Sequence, residues 1–479
     1  MKTRSGVTRS AAILIVVIVI TIGIASAYFF QAPQRPPSIT TTPLTVKKIL
    51  RVITRHDSTI TGLAYDKFLA SDIARKYGIT EALFVNVAAP LWRDTIKSYQ
   101  QRGEPFDVAW GGGPTLFDEL VPSGFAAPLT RPDTLTVVGQ IRDEIGGAPL
   151  KRFGSGGKIL WVAAAISSFG FIINYDMAEK YNLPEPKAWE DLAGVELAKI
   201  LPRPTVCYAS PKLSTSHTRI YEIILQKFGW DRGWSILARM AANGRSYPGS
   251  VEALTAVQSG EVAFGIAIDF YGYQSEIQFP RTKYVLPFNQ SIVNGDPIAL
   301  LATTKDPDMA QAFIEWVLSV EGQKIWLHRD INRLPIREDL FKTTEGQARK
   351  DLYRNFNVTL NNIGIPFDDD LALKYEFALR EYFEAAFVDS HYDLVSAWQK
   401  LADAYTRGKV PKARFEELAF ELGKPLSWKE GGTTLTFTQN YAISINEKIK
   451  EPATASEFAK IWRALATDRY RYIMGLIPS

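Results

Sequence analysis

The sequence predicts an α/β body with a mostly parallel sheet, preceded by an N-terminal transmembrane anchor and followed by a helical C-terminal extension. Three observations predict it. Short apolar strands alternate with amphipathic helices from Ile49 to Trp110. An uncharged run from Ala11 to Phe30 stands in front of that body. From about Thr343 to Ser479, charges and aromatics recur at helical spacing.

Lys2, Arg4 and Arg9 make residues 1–10 a basic flank. At about 1.5 Å rise per residue, roughly 20 apolar residues match the hydrocarbon core of a bilayer. Basic residues ahead of a span stay in the cytoplasm, so the expected product is a single-pass protein of the cell membrane with its body on the extracellular face. Ala25-Ser26-Ala27 also fits a small-residue cleavage pattern, so residues 11–30 read as anchor or signal, and the length of the run favours the anchor. Residues 31–47 contain QAPQRPPSITTTP, a composition that stays extended and acts as a spacer. The single cysteine, Cys207, excludes an intramolecular disulfide, and the chain is long enough to build a large core instead.

The body reads in order. Ile49–Thr54, Leu83–Val87 and Phe106–Trp110 are strands, with helices at Leu63–Tyr77 and Leu91–Gln101 between them. Short connections of this kind predict βαβ units. A strand pair is expected at Lys158–Ala165 and Gly170–Asn174. Helices follow near Trp189–Leu192, Thr215–Phe228 and Val251–Gln258. Val262–Ile268 and Ile298–Ala302 are apolar strands, and Asp308–Ser319 is an amphipathic helix. In the extension, helices are expected at Leu371–Phe387, Tyr392–Thr406, Lys412–Leu422 and Ser456–Thr467, with a strand at 433–438.

Charge narrows the function. Eight of the 55 Lys and Arg residues lie before the first acid, Asp57; the rest of the chain has 47 basic against 51 acidic residues. Such a body, with no basic run, gives no support to nucleic-acid binding. The four histidines, at 56, 217, 328 and 391, form no H-x-x-x-H pair, and neither a nucleophile triad nor a Gly-Lys phosphate loop is visible. No cofactor is implied. A body of this kind is better suited to holding a ligand than to transforming it.

Four segments carry a resemblance. FDVAWGGGP (106–114), SSFGFIINYDMAEKYNLPEPKAWEDLA (167–193), SVEALTAVQSGEVAFGIAIDFY (250–271) and DPDMAQAFIEWVLSVEGQKIW (306–326) resemble, in order, segments of ABC importer extracellular solute-binding proteins. The resemblance is to the two-lobed type II cluster that includes ferric-ion-binding proteins, and it spans about residues 48–340. It implies a two-lobed periplasmic-binding-protein-like α/β fold with a hinge of two crossing strands. Lobe one would comprise residues 48–160 with 290–340, lobe two 161–289, and 341–479 the mainly helical extension, which has no counterpart in the resemblance. It implies a protein that is not an enzyme and that captures a small polar solute between lobes for ABC permease transmembrane subunits. A monomer is expected.

Carrying the family's site segments over gives four loops. They are Arg55-His56-Asp57-Ser58-Thr59, Trp110-Gly111-Gly112-Gly113, Ser214-Thr215-Ser216 and Asp269-Phe270-Tyr271. Ferric-binding relatives use a His, a Glu and two adjacent Tyr, hard donors that suit Fe3+. Here His56 and Tyr271 match two of these positions, whereas Phe270 and Gly111–Gly113 supply no donor. The residue types themselves leave alternatives open. Ser214, Thr215 and Ser216 fit either helix capping or an anion site at a helix terminus. Gly111 and Gly112 fit either close ligand approach or a tight turn. Trp110 fits a flat ligand face or an inward core position, and His56 a ligand or a strand-end polar residue. Asp269, ending an apolar strand, needs a partner, either ligand or a local cation. The expected solute is an anion, a polyol or a phosphorylated organic compound. The alternatives are a ferric ion, and, in another class, a membrane-anchored hydrolase with the extension as lid.

Overall fold

Parallel pairing begins where the β-branched run leads it to be expected. In the structure, a computed structural model describing residues 48–145, 148–362 and 364–478, β1 (Lys48–Thr54), α1 (Ser58–Leu69), β2 (Ile79–Asn86), α2 (Trp92–Gln101) and β3 (Val108–Trp110) alternate. β1 lies between β2 and β3 and is parallel to both. The expected flank, span and linker at residues 1–10, 11–30 and 31–47 lie outside the described residues. Among the described residues no helix is long and apolar enough to cross a membrane. The helix expected at Leu63–Tyr77 is broken. α1 stops at Leu69, and a short second helix, Asp72–Tyr77, restarts where the Ser71 hydroxyl accepts from the Ala74 N–H.

α3 (Pro114–Leu120) starts directly behind the glycine loop, and β4 (Lys151–Phe153) pairs with β5 (Ile159–Asn174). β5 is one 16-residue strand, not the expected pair of short ones. The Ser167-Ser168 step reads as an interruption, yet both serines are buried and partnered. Ser168 donates from N and Oγ to Asp269, and Ser167 Oγ accepts from Arg333. With those polar groups satisfied, the strand continues. There follow β6 (Val206–Ala209), α4 (Thr215–Phe228), α5 (Trp230–Ala242), β7 (Gly244–Tyr247), α6 (Ser250–Gln258), β8 (Phe264–Ile268), β9 (Thr282–Val285), β10 (Val293–Leu301) and α7 (Pro307–Leu318).

The main sheet path runs β7-β6-β8-β5-β10-β3-β1-β2. β5 is its seam. Val162–Ser168 pairs antiparallel with β10, and Phe169–Asn174 pairs with β8 and β9. One long strand thus belongs to two half-sheets, and the carboxyl ends of β1 and β3 in one half face those of β6, β7 and β8 in the other across a shared cavity.

The extension supplies α8 (Asp369–Phe383), α9 (His391–Thr406), α10 (Lys412–Glu421), a hairpin of β11 (Ser427–Glu430) and β12 (Thr433–Thr436), and the 25-residue α11 (Pro452–Leu476). These helices have no core of their own. One apolar cluster joins Phe169, Tyr221, Trp234 and Ile266 of the second half to Tyr382, Phe383, Trp398 and Trp462 of the extension. Tyr221 stacks on Phe383 with centroids 4.1 Å apart, and the Trp398 indole donates to Asn243 Oδ1 at 2.7 Å. Removing Tyr382, which meets Trp234, Phe437 and Trp462 edge-on or stacked, leaves a cavity inside this common core. Tyr382→Ala should therefore cost roughly 3–5 kcal/mol. Urea unfolding followed by tryptophan fluorescence and by circular dichroism should show one coincident transition, shifted as a whole; two separate transitions would mean the extension folds alone.

Candidate functional site

The glycine loop after β3 is shaped by what lies behind it. Gly111 and Gly112 have φ of 78° and 123°, a region that L side chains rarely adopt. A Cβ on Gly111 would meet the His56 ring at 2.4 Å, and one on Gly112 the Arg55 Cγ at 2.7 Å. The loop turns onto β10, where the register shifts between Asp296 and Pro297. This bulge aims the Asp296 carboxylate at the loop, and its Oδ1 accepts from Gly112 N at 2.8 Å and Gly113 N at 3.2 Å. Those donors are therefore held by a protein carboxylate.

Asp296 is 5% exposed and pairs through Oδ2 with Arg333 Nη1 at 2.7 Å. Burial alone would raise its carboxyl, but Arg333, His56 and the glycine N–H groups together hold it below the usual range. Arg333 also donates to Ser167 Oγ and lies over the Phe270 ring at 4.5 Å, while its buried Nε has no hydrogen-bond partner among the described residues. The His56 ring packs edge-on against Trp110 with centroids 4.5 Å apart, and burial lowers its pKa to about 4, so it is a neutral imidazole at neutral pH.

The opposite wall is built from helix starts. Ser214 caps α4, accepting from His217 N, and Ser214, Ser216 and Ser250 join their hydroxyls to His217 Nδ1 over 2.6–3.4 Å. Gly249 opens α6 with no side-chain cap. The first N–H groups of a helix have no intrahelical acceptor and carry the positive end of its dipole, so both starts favour an anion. One turn into α4, Arg219 is 4% exposed, with Nη1 at 3.2 Å from Glu222 and 3.0 Å from Asp369.

Between these walls lies a cavity of about 410 Å³. Of the sequence-derived candidates, it brings together His56, Gly112, Ser214, Thr215, Ser216 and Tyr271. Asp57 instead caps α1, accepting from Thr59 and Ile60, and Ser58 is exposed on that helix. Gly111 lies against His56 rather than on the cavity lining, and Trp110 is fully buried among His56, Phe84, Phe313 and Trp326. Asp269 is fully buried as well; it accepts from Ser168 N, Ser168 Oγ and Phe270 N, and burial raises its carboxyl to about 7. Its partners are backbone and hydroxyl donors, not the cation or ligand that a strand-end acid suggests.

Sequence reasoning missed Arg219, Ser250, Asn294, Asp296 and Arg333, all of which border the cavity. Arg55 falls in a sequence-derived site loop, where residue type alone gives it no role. Its Nη1 donates to the Val87 carbonyl at 3.1 Å, and burial lowers its pKa below the usual guanidinium value. For Arg219 a readable signal did exist. It falls four residues after Thr215, the first residue of the capped helix, and residues at that spacing share one helix face.

Ser214 and His217 are the kind of pair a hydrolase would need, with Oγ 2.9 Å from Nδ1. Burial lowers His217 to about 3, and its other nitrogen faces the Ile266 carbonyl rather than a carboxylate. Such an imidazole is a poor base near neutral pH.

Comparison with known proteins agrees with this geometry. The sequence profile described as "Bacterial extracellular solute-binding protein" matches residues 75–353. The chain belongs to that family of solute-binding proteins. It is 26% identical over 286 residues to the phosphoglycerate transport regulatory protein PgtC of Salmonella typhimurium, covering 59% of this chain and 68% of that protein. Among solved structures, the periplasmic binding protein P5PA superposes with a TM-score of 0.56 at 15% identity, over 71% of this chain and 100% of the other. AfuA from Actinobacillus pleuropneumoniae, solved with fructose-6-phosphate, gives 0.51 at 18% identity, over 66% and 99%. The fold is the two-lobed α/β fold of periplasmic binding proteins. The family match ends at residue 353, ahead of α8.

The buried His217 makes a signed prediction. Unfolded, it takes up a proton near pH 6.5; folded, it does so only near 3. Its contribution to stability is complete above the unfolded value and is lost as pH falls below it. Between pH 7 and 5, His217→Gln should lose about 2 kcal/mol less stability than the parent protein. Urea melts of both proteins at the two pH values check this, and equal losses would contradict it.

Proposed function

We propose that this chain is the extracytoplasmic solute-binding component of an ABC importer and that its solute is a small organic phosphate or a comparable oxyanion. One observation carries the reading. Arg55, Arg219 and Arg333, two helix starts and a hydroxyl cluster border one cavity of about 410 Å³. Guanidinium forks and helix N-termini are the groups that bind phosphate best. Of the two acids on the lining, Asp296 is engaged by Arg333 and the glycine loop, and Glu252 lies in the first turn of α6. The cavity falls in the range that holds small solutes, and the phosphoglycerate named for PgtC belongs to the same chemical class.

In this reading His56, Gly112, Ser214, Thr215, Ser216 and Tyr271 form the site with the three arginines. Lobe one comprises 48–160 with 290–340, lobe two 161–289, and β5 and β10 are the hinge between them. Residues 11–30 tether the monomeric protein to the membrane, a reading that rests on the sequence pattern alone. Closure of the lobes delivers the solute to the permease without chemistry. The ferric alternative has less support. His56 and Tyr271 both border the cavity, but three guanidiniums repel a trivalent cation and Phe270 offers no donor.

Isothermal titration of the full chain in detergent tests the reading. 3-Phosphoglycerate and fructose 6-phosphate should bind, and glycerate and fructose should bind at least about 100-fold more weakly. Arg55→Met should weaken 3-phosphoglycerate binding by about tenfold or more. Binding of Fe3+ alone, or equal binding of fructose and its phosphate, would overturn it.

A further inference from the structure

A second cavity, of about 1070 Å³, adjoins the first and is walled by the helical extension. Thr215 borders both, and three stretches of chain pass from one to the other. After β2, Ala88 lines the first cavity and Ala89 the second. Behind the glycine loop, Thr115 lines the first and Leu116 the second. After β6, Leu213 lines the first and Lys212 the second. Both spaces therefore lie in one crevice beyond the carboxyl ends of β2, β3 and β6, where α/β sheets hold their ligands. Ser167 and Asn294, from the seam strands β5 and β10, line the first cavity alone, so the second lies outward from the seam. Its far wall comes from the extension, with Leu373, Phe377 and Arg380 of α8 and Ala459 of α11. Arg152 Nε lies 3.5 Å from Asp118, on the lining, and Arg152 Nη1 3.4 Å from Asp370 of α8, so the extension meets β4 beside this space.

The two cavities differ in charge. In the second, Lys212 pairs with Glu381 at 2.8 Å, Lys450 with Glu447 at 2.7 Å, and Arg380 with Glu376. Arg93 and Asp94, consecutive and exposed, offset each other in charge. Glu119 of α3 is different. Its carboxylate has no ion-pair partner within 4.0 Å among the described residues. Burial raises its carboxyl above the usual range, against the pull of Arg380, Lys450 and Arg93. Leu116, Leu373 and Phe377 add apolar surface around it. A carboxylate is an acceptor only. An unpaired acceptor beside apolar surface, among cations that are already engaged, suits a hydroxylated, uncharged group better than a second anion.

We propose that the second cavity is a subsite for the far end of the solute: the phosphate lies in the first cavity, and a sugar-like group beyond it lies against the extension and donates hydroxyls to Glu119. The solute is then a phosphorylated saccharide longer than a single sugar. Glu119 sets that preference, and the extension is a wall of the site as well as part of the core. The phosphate half of this inference rests on the oxyanion reading of the first cavity; the saccharide half does not.

Isothermal titration of the full chain in detergent with matched pairs decides it: glucose 6-phosphate against trehalose 6-phosphate, and glucose 1-phosphate against maltose 1-phosphate. At least one disaccharide phosphate should bind about tenfold tighter than its single-sugar partner, the worth of one hydrogen bond to a charged acceptor. Glu119→Gln should reduce that ratio about fivefold or more, and so, independently, should Ala459→Trp, which fills the cavity from α11. Both variants should keep the affinity for the single-sugar phosphate within about twofold of the parent, which also reports that they fold. If the glucose phosphates bind and neither disaccharide phosphate gains, or the gain survives both variants, the inference falls and the oxyanion reading stands. If no phosphate binds but trehalose or maltose does, with affinity lost in both variants, the oxyanion reading falls and the saccharide subsite stands. Binding of none of these compounds overturns both.

Discussion

The buried carboxylate of Asp296 is the interaction on which the site depends. It stands at the register shift of β10, a strand that pairs with both β5 and β3. One oxygen gathers the N–H groups of the glycine loop, and the other holds Arg333 at 2.7 Å. Remove it and three things fail together: the loop loses its acceptor, Arg333 keeps an uncompensated buried charge, and His56 loses the anion at 3.7 Å from Nε2. A buried ion pair of this sort adds little net stability against an apolar replacement, because desolvation offsets most of the attraction. What it supplies is geometry. It fixes the β1 and β3 loops and the Arg333 segment, which come from distant parts of the chain, around one cavity.

The extension answers a different physical need. The second half-sheet carries α4 and α5 on one face, and their aromatic residues Tyr221, Trp230 and Trp234 would meet water without a cover. Helices α8, α9 and α11 supply that cover and bury their own apolar stripes in the same step. His391 closes the seam, its Nε2 lying 3.2 Å from the Ala241 carbonyl and 2.9 Å from the Gly244 carbonyl. An arrangement with a shared core cannot be peeled away as a module, and for that reason a contact such as Asp369 with Arg219 can be held at fixed geometry.

Most elements of the body were legible in the sequence, because their apolar periods are set by local burial. Thr215–Phe228 matches to the residue, and Val251–Gln258 to within one. β5 was not, since Ser167-Ser168 is polar in isolation and is made compatible with a buried strand only by Asp269 and Arg333, 101 and 166 residues away. The same limit applies at the site. The family resemblance pointed to loops that follow strands, and of these His56, Gly112 and Ser214 border the cavity. The residues that give it charge could not be found this way. Arg333 and Asp296 reach it through a bulge and a tertiary ion pair, which leave no local period. For Trp110 and Asp269 residue type left a ligand and a protein partner equally open, and packing gave each a protein partner.

Arginine rather than lysine is what makes such a wall workable. On the proposed oxyanion reading, the empty cavity could not hold bare ammonium groups at low dielectric without shifting their protonation. A guanidinium remains charged, spreads that charge over a planar fork and can satisfy a carboxylate with one edge while keeping another free. Arg333 does this with Asp296, Ser167 and the Phe270 face. Arg219 does it with Glu222, Asp369 and the Phe367 face. In each case an acid lies against the guanidinium and an aromatic ring covers its flat side, which offsets part of the desolvation cost before any solute arrives. The solute then needs only to engage donors already in place, which is the condition under which binding loses least to reorganisation.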